Sequence, residues 1–319
     1  MRGSSLTKRI ANWTMPPGFH EVIRKYRARR VSQNTLRVPW ADMEPVFARN
    51  KKFYNIHRGE RCFILATGPS INKQDLRPLK NEVCIGVSMF FLHKDVGEID
   101  PLYHVEASCH PPYGFDLIQQ SFEGYERHYS ERTVLFWGHT PYEQSAFNFL
   151  QLDNQFRKDN VYFLNYCCPQ SLNEANFDKS DIWDICGHLF APRTSVYCAI
   201  QVAAYMGFRQ IYLLGCDHDY LADLDKRSCT HFYPEEQGYD QTLDTWPCTE
   251  DLFLAYHIRW KQYRLMRSFL ELRGCHIYNA TDGGLLDVFP RVSLNEVLAS
   301  KEPPTMRSET AVRPAAPIQ

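Results

Sequence analysis

The stretch Cys62-Phe63-Ile64-Leu65-Ala66-Thr67-Gly68-Pro69-Ser70-Ile71-Asn72 decides the fold. Its apolar run is too short for a helix and ends abruptly at a Gly-Pro-Ser turn, which predicts a strand buried on both faces, as in a parallel sheet. Gly68 lets the backbone bend and approach a ligand with no Cβ in the way, Pro69 fixes φ, and Ser70 can cap the turn that follows. In an open α/β sheet, the loop at the carboxyl end of such a strand is where nucleotides bind. Free backbone N–H groups and a helix N-terminus both favour a phosphate there. An ordinary strand-to-helix connection reads the same way, so the rest of the chain has to decide between them.

Working outward, apolar runs at 62–66, 83–90, 102–105, 133–137, 161–165, 210–215 and 275–279 read as strands, with helical stretches between several of them. That alternation predicts an α/β fold, a Rossmann-like and mostly parallel sheet with helices on both faces. Residues 194–206 are apolar nearly all round, as a core helix would be, and Gly207 ends them. A second, longer helix is expected over about 250–273. There Leu252, Tyr256, Trp260, Tyr263, Met266 and Leu270 form one stripe, and Arg259, Lys261, Arg264 and Arg267 a basic outer face.

Three segments fall outside this pattern. Residues 1–57 read as a basic N-terminal arm: thirteen Lys and Arg stand against four Asp and Glu in residues 1–60, with Trp13, Phe19 and Tyr26 interspersed. A peripheral contact with anionic lipid is one reading of the arm, a solvated arm packed on the domain is another, and a transit peptide is a third. The domain proper is expected over 58–299, with a polar lid at about 220–248 that lacks periodicity. A Pro-containing tail at 300–319 reads as disordered.

The 319-residue chain carries a net charge of −1, which points to neither nucleic acid nor membrane as a global partner. Its eleven cysteines are scattered without a Cys-x-x-Cys spacing, so neither a disulfide framework nor a zinc site is indicated. No run reaches the roughly 18 apolar residues of a membrane span, and no secretory signal is evident. A reducing, cytoplasmic location is the expectation.

Four further stretches could carry chemistry. Arg193-Thr194-Ser195 precedes the core helix, with Thr194 or Ser195 as cap and Arg193 at the positive end of the helix dipole, an arrangement that calls for an anion. Asp217 and Asp219 follow the strand at 210–215 and could share a Mg²⁺ that carries nucleotide phosphates, provided the chain turns there. His231, with Glu235 nearby on the expected lid, could act as general acid or base. Asn279 and Thr281, after the last strand, could hydrogen-bond a base or sugar.

Taken in order, Gly68-Pro69-Ser70, Arg193-Thr194-Ser195, Ile211-Tyr212-Leu213-Leu214-Gly215-Cys216-Asp217, Thr230-His231-Phe232-Tyr233 and Tyr278-Asn279-Ala280-Thr281 resemble the 6-hydroxymethylpterin diphosphokinase MptE-like family. More distantly they resemble the bacterial sialyltransferases of glycosyltransferase family 42. The resemblance spans roughly residues 58–295, and the order of the motifs is its specific part. It implies a nucleotide-dependent transferase. By likeness to the sialyltransferases, Gly68, Pro69, Ser70, Arg193, Thr194 and Ser195 would hold a CMP-linked sugar donor without a metal. Either His231 or Glu235 would then be the base that takes a glycan hydroxyl's proton, in cell-surface glycan assembly at the inner membrane surface. By likeness to the diphosphokinases, Mg-ATP would be the donor, Asp217 and Asp219 its metal ligands, and a small alcohol such as a hydroxymethylpterin the acceptor. A non-catalytic nucleotide-binding module is the third reading.

Overall fold

The computed structural model describes residues 40–107, 115–140, 142–152, 156, 159–166, 183–187, 189, 194–219, 221, 231–233 and 249–300. In chain order they form α1 (Trp40–Ala48), β1 (Arg61–Leu65), β2 (Val83–Val87), α2 (Val96–Ile99), β3 (Tyr103–Glu106), α3 (Phe115–His128), β4 (Val134–His139) and α4 (Ala146–Leu152). There follow β5 (Val161–Asn165), α5 (Ser195–Tyr205), β6 (Gln210–Leu214), α6 (Thr249–Glu271), β7 (His276–Asn279) and α7 (Leu294–Ala299). The seven strands, each anticipated by an apolar run, make one parallel sheet in the order β5-β4-β3-β2-β1-β6-β7.

Alternate residues of each strand feed two cores, because successive Cβ atoms point to opposite faces. From β1, Cys62 and Ile64 enter the core shared with α5 and α6, while Phe63 and Leu65 enter the one shared with α3 and the turns after β1 and β2. Both faces are therefore dry, which is why the strands read as continuous apolar runs rather than alternating ones. Each fully buried side chain of this size contributes about 1.5–3 kcal/mol. α5 lies across β1, β2 and β3, with Val196 to Ala203 all buried. Gly207, at φ 89°, ends it as expected, in a backbone region that few other residues adopt.

Two boundaries differ from the sequence reading. The run at 83–90 is strand only as far as Val87. Ser88 takes a left-handed φ of 50°, and Ser88–Leu92 coil into a 3-10 turn whose Met89, Phe90 and Phe91 are buried. Apolarity there reports burial, not strand. The second difference is the end of the expected arm. Residues 40–57 are built into the domain: Met43 and Phe47 join one core and Phe53 the other, and the N–H groups of Asn55 and His57 bond to the carbonyls of Tyr205 and Met206. The arm before residue 40 and the tail from 301 lie outside the described residues.

Asn50 shows what that segment does. It is fully buried, and its Nδ2 donates to the carbonyls of Phe163 and Ile185, both at 2.8 Å. β5 is an edge strand, so a polar side chain here satisfies an acceptor that no neighbouring strand can reach. Replacing Asn50 by Leu leaves two buried carbonyls without a donor, at roughly 1–3 kcal/mol each. We expect Asn50→Leu to lower the unfolding free energy by about 2–4 kcal/mol, read as a fall in the urea midpoint at unchanged slope.

Candidate functional site

The chain runs outward from β1 through β2 to β5 and then returns to lay β6 on the other side of β1. The crevice beyond the carboxyl ends of β1 and β6 is therefore the topological switch point, where open α/β sheets bind ligands. The loops that border it are pinned together. Ala66 N–H bonds to Leu214 O at 2.9 Å and Gly68 N–H to Gly215 O at 2.8 Å, which prolongs the ladder past both strands. Ser70 donates from Oγ to Asp217 Oδ2 at 2.8 Å and from its backbone N–H to Oδ1 at 3.3 Å. A Cβ on Gly68 would stand 1.9 Å from Asp217 Oδ2 and 2.5 Å from Gly215 O, so no side chain fits there. Pro69 opens the short 3-10 turn Pro69–Lys73.

A cavity of about 210 Å³ lies between these loops. Thr67, Gly68, Ser88, Thr194, Ser195, Asp217, His218, Asp219, His231 and Arg259 line it. Thr194 is the N-cap of α5, its Oγ1 accepting Val196 N–H at 3.4 Å, so the amino-terminal turn of a buried helix faces the cavity with its partial positive charge. Ser195 Oγ and Ser88 Oγ are hydrogen-bonded at 2.8 Å, which fixes the rim between α5 and the turn after β2.

Arg259 supplies the cation. Its Nε is buried and has no hydrogen-bond partner among the described residues, its guanidinium lies 5.1 Å from the Tyr256 ring centroid, and its backbone carbonyl is held by Tyr197 Oη at 2.8 Å. The sequence reading placed Arg259 on the outer face of α6. It stands three residues from Tyr256 and four from Tyr263, both buried, and that helical spacing is the signal that turns it toward the cavity. Ser88 was missed for a different reason, since it sits within the apolar run assigned wholly to a strand. Arg193 lies outside the described residues.

His218 and Asp217 show what the setting does to charge. His218 Nε2 meets Tyr263 Oη at 3.0 Å, and its pKa is pushed down to about 3, first by burial and then by Arg259. Burial pushes the Asp217 carboxyl above its ordinary value, the Ser70 hydroxyl opposes that, and the like charge of Asp219 adds to it. Both oxygens of Asp217 are thus engaged with Ser70, and the two residues expected to face a ligand or a metal are bonded to each other. Among the described residues, no cluster of three or more His, Cys, Asp or Glu side chains could hold a metal ion.

Of the expected lid, residues 231–233 are described. Phe232 N–H bonds to Thr67 O at 2.9 Å, and the His231 ring stacks on Tyr233 with centroids 5.0 Å apart, so His231 is brought to the cavity wall. Glu235 lies outside the described residues. Asn279 and Thr281 serve the β7 loop: Asn279 Nδ2 donates to Leu286 O, Thr281 N–H donates to Asn279 Oδ1, and Thr281 Oγ1 accepts Cys216 N–H. Neither lines the cavity.

No family model and no curated protein matches the sequence. Among solved structures, the chain is similar to the sialyltransferase CstII from Campylobacter jejuni in complex with cytidine-5'-monophosphate. That match has 15% identity, covers 75% of this chain and 86% of the other, and has a TM-score of 0.39. CST-II with a trisaccharide acceptor and CMP matches at 14% identity, 76% and 89% coverage and a TM-score of 0.42. The monofunctional α-2,3-sialyltransferase Cst-I from the same organism matches at 14% identity, 73% and 80% coverage and a TM-score of 0.42. At such scores the likeness carries no argument about what this chain does. No helix among the described residues is long and apolar enough to cross a membrane.

Two outcomes are expected here. Gly68→Ala forces the loops after β1 and β6 apart and should both lower the melting temperature and abolish ligand binding in the cavity, measured by calorimetry. The second concerns pH. His218, at about 3, His139, at about 4, and His104, lowered by burial, all titrate in the fold below the 6.5 of a free histidine, so the unfolded chain binds protons first as pH falls. Their stabilisation is complete above about 6.5 and is lost as pH falls toward 4. The urea midpoint should drop between pH 7 and pH 5, and His218→Asn, which tolerates the φ of 47°, should flatten that slope.

Proposed function

We propose that this chain is a glycosyltransferase that moves a sugar from a nucleotide-activated donor, a CMP-linked acidic sugar, to a hydroxyl of a glycan acceptor. The observation that carries the proposal is the placement of Arg259: an unpartnered guanidinium nitrogen and the amino-terminal turn of α5 border one cavity at the switch point of the sheet. Two convergent positive ends, with no carboxylate among the described residues salt-bridged to the arginine, suit a phosphate. The order of the sequence motifs supports the transferase reading independently.

In the proposed reaction the acceptor oxygen attacks the anomeric carbon, the bond from that carbon to the phosphate oxygen breaks, and CMP leaves with the bonding electrons. Arg259 and the turn of α5 stabilise the charge that grows on the departing phosphate, a task in which preorganised donors are most effective. His231, on the cavity wall, takes the acceptor's proton. No metal is part of this proposal. Diphosphoryl transfer from Mg-ATP is less well supported, because Asp217, its principal metal ligand, is bonded to Ser70 through both oxygens.

The test is thermal stabilisation by CMP, CDP, UDP, GDP and ATP, each with and without Mg²⁺. A ligand at a hundred times its dissociation constant adds about 2.7 kcal/mol, roughly 4 °C for a chain of this size. CMP should stabilise the protein irrespective of Mg²⁺, and Arg259→Ala should weaken CMP at least about tenfold, or 1.4 kcal/mol. His231→Ala should retain CMP binding and lose about 10²–10⁴ in transfer rate from a CMP-linked sugar. Stabilisation by ATP alone, and only with Mg²⁺, would replace this reading with diphosphoryl transfer. Nucleotide binding with no transfer to any acceptor tried would favour a binding module.

A further inference from the structure

A second cavity lies at the opposite end of the sheet, beside the amino-terminal ends of β1, β6 and β7. Its volume is about 830 Å³, within the range of small-molecule sites. One wall is aromatic. Trp183 stacks on Phe269 with centroids 4.4 Å apart, and the exposed Tyr54 ring stands 5.3 Å from Tyr205. Four cations, Lys51, Arg58, Arg209 and Arg273, also line the space. Among the described residues, none of these four side chains forms an ion pair, and Arg273 lies instead 3.5 Å over the Phe269 ring. Asp184 is the one carboxylate in the described lining, and it accepts the Cys186 N–H at 2.8 Å.

Carbonyls at the carboxyl end of α5 would ordinarily repel an anion here, but they are capped. Tyr205 O, Met206 O and Gly207 O accept the N–H groups of Asn55, His57 and Gly59 at 2.9–3.1 Å. Four cations against one carboxylate around one concavity thus leave its potential positive. The guanidinium groups can take phosphate oxygens two at a time.

We propose that this cavity is a second ligand site, for a phosphate-bearing anion with an apolar or ring-shaped part. The phosphate is held by Arg58, Arg209 and Arg273, and the apolar part lies on the Tyr54 and Trp183 wall. Two sources meet that chemistry: a free phosphorylated small molecule, and the headgroup of an anionic lipid, for which the exposed Ile56 and Leu272 flank the rim in sequence. The proposal does not depend on the reaction assigned to the first cavity.

The experiment uses the full chain, with pyrophosphate and ADP as soluble probes and with vesicles of phosphatidylglycerol in phosphatidylcholine, set against phosphatidylcholine alone. Arg209→Glu with Arg273→Glu should weaken whichever probe binds by at least about tenfold. Lys80→Glu with Arg264→Glu, the same charge change on exposed residues elsewhere, should leave that binding within about twofold. If the change at Arg273 disturbs its packing on Phe269, Lys51→Glu with Arg58→Glu reads the same loss from exposed positions. Binding of a soluble probe without vesicle pelleting assigns the site to a free phosphate ligand. Pelleting alone assigns it to a headgroup, and either result supports the site. Failure of every probe to bind the wild type overturns it, as does an equal loss in the control pair, or no loss on reversing the cavity's own cations.

Discussion

The carboxylate of Asp217 occupies the space that a Cβ on Gly68 would need, and much of the candidate site depends on that contact. Two loops leaving adjacent strands toward opposite faces would ordinarily diverge. Here the carboxylate fills the gap and ties Ser70 of one loop to the other by two hydrogen bonds. Burial works against the charge on Asp217, and the Ser70 hydroxyl works for it. Because the Ser70 N–H is spent in this brace, the positive groups left for an anion are those of α5 and α6. The glycine-containing turn shapes the crevice, and neighbouring helices charge it.

How Arg259 comes to be there follows from the core. Tyr197 of α5 donates to the Arg259 carbonyl, its ring meets Tyr263 edge-on at 4.6 Å, and Tyr263 in turn holds His218. Two buried tyrosine rings and a half-buried imidazole thus set the register of α6 against α5. The position of a charge in the crevice is decided by apolar packing on its far side. A small change of volume at Tyr197 or Tyr263 would be felt at the guanidinium, because close-packed interiors transmit such shifts.

Most of the sheet was legible in the sequence because strands buried on both faces are written as short unbroken apolar runs, and all seven were. Met89, Phe90 and Phe91 extend such a run without extending the strand, since burial under a 3-10 turn asks for the same side chains. The two loops of the switch point were legible from Gly68 and Asp217, but not the fact that they bond to each other, which sequence separation conceals. Asn279 and Thr281 illustrate the converse: polar residues at a strand's carboxyl end look like ligand contacts, yet here they satisfy the turn's own backbone. Arg259 was hidden because a charge on a long helix is most often solvated. Asn50 was hidden because a buried amide in a basic stretch has no pattern to announce it.

The covering of β5 by Asn50 and the helix before it bears on how the domain is to be delimited. A division drawn at the start of β1, where the sequence changes character, would cut away α1 and the following turn and leave the Phe163 carbonyl and its neighbours open at the sheet's margin. An uncovered margin of a parallel sheet is a template for another chain. A fragment that keeps this margin covered therefore has to include α1 and the turn after it, through which Phe47, Asn50 and Phe53 reach the sheet.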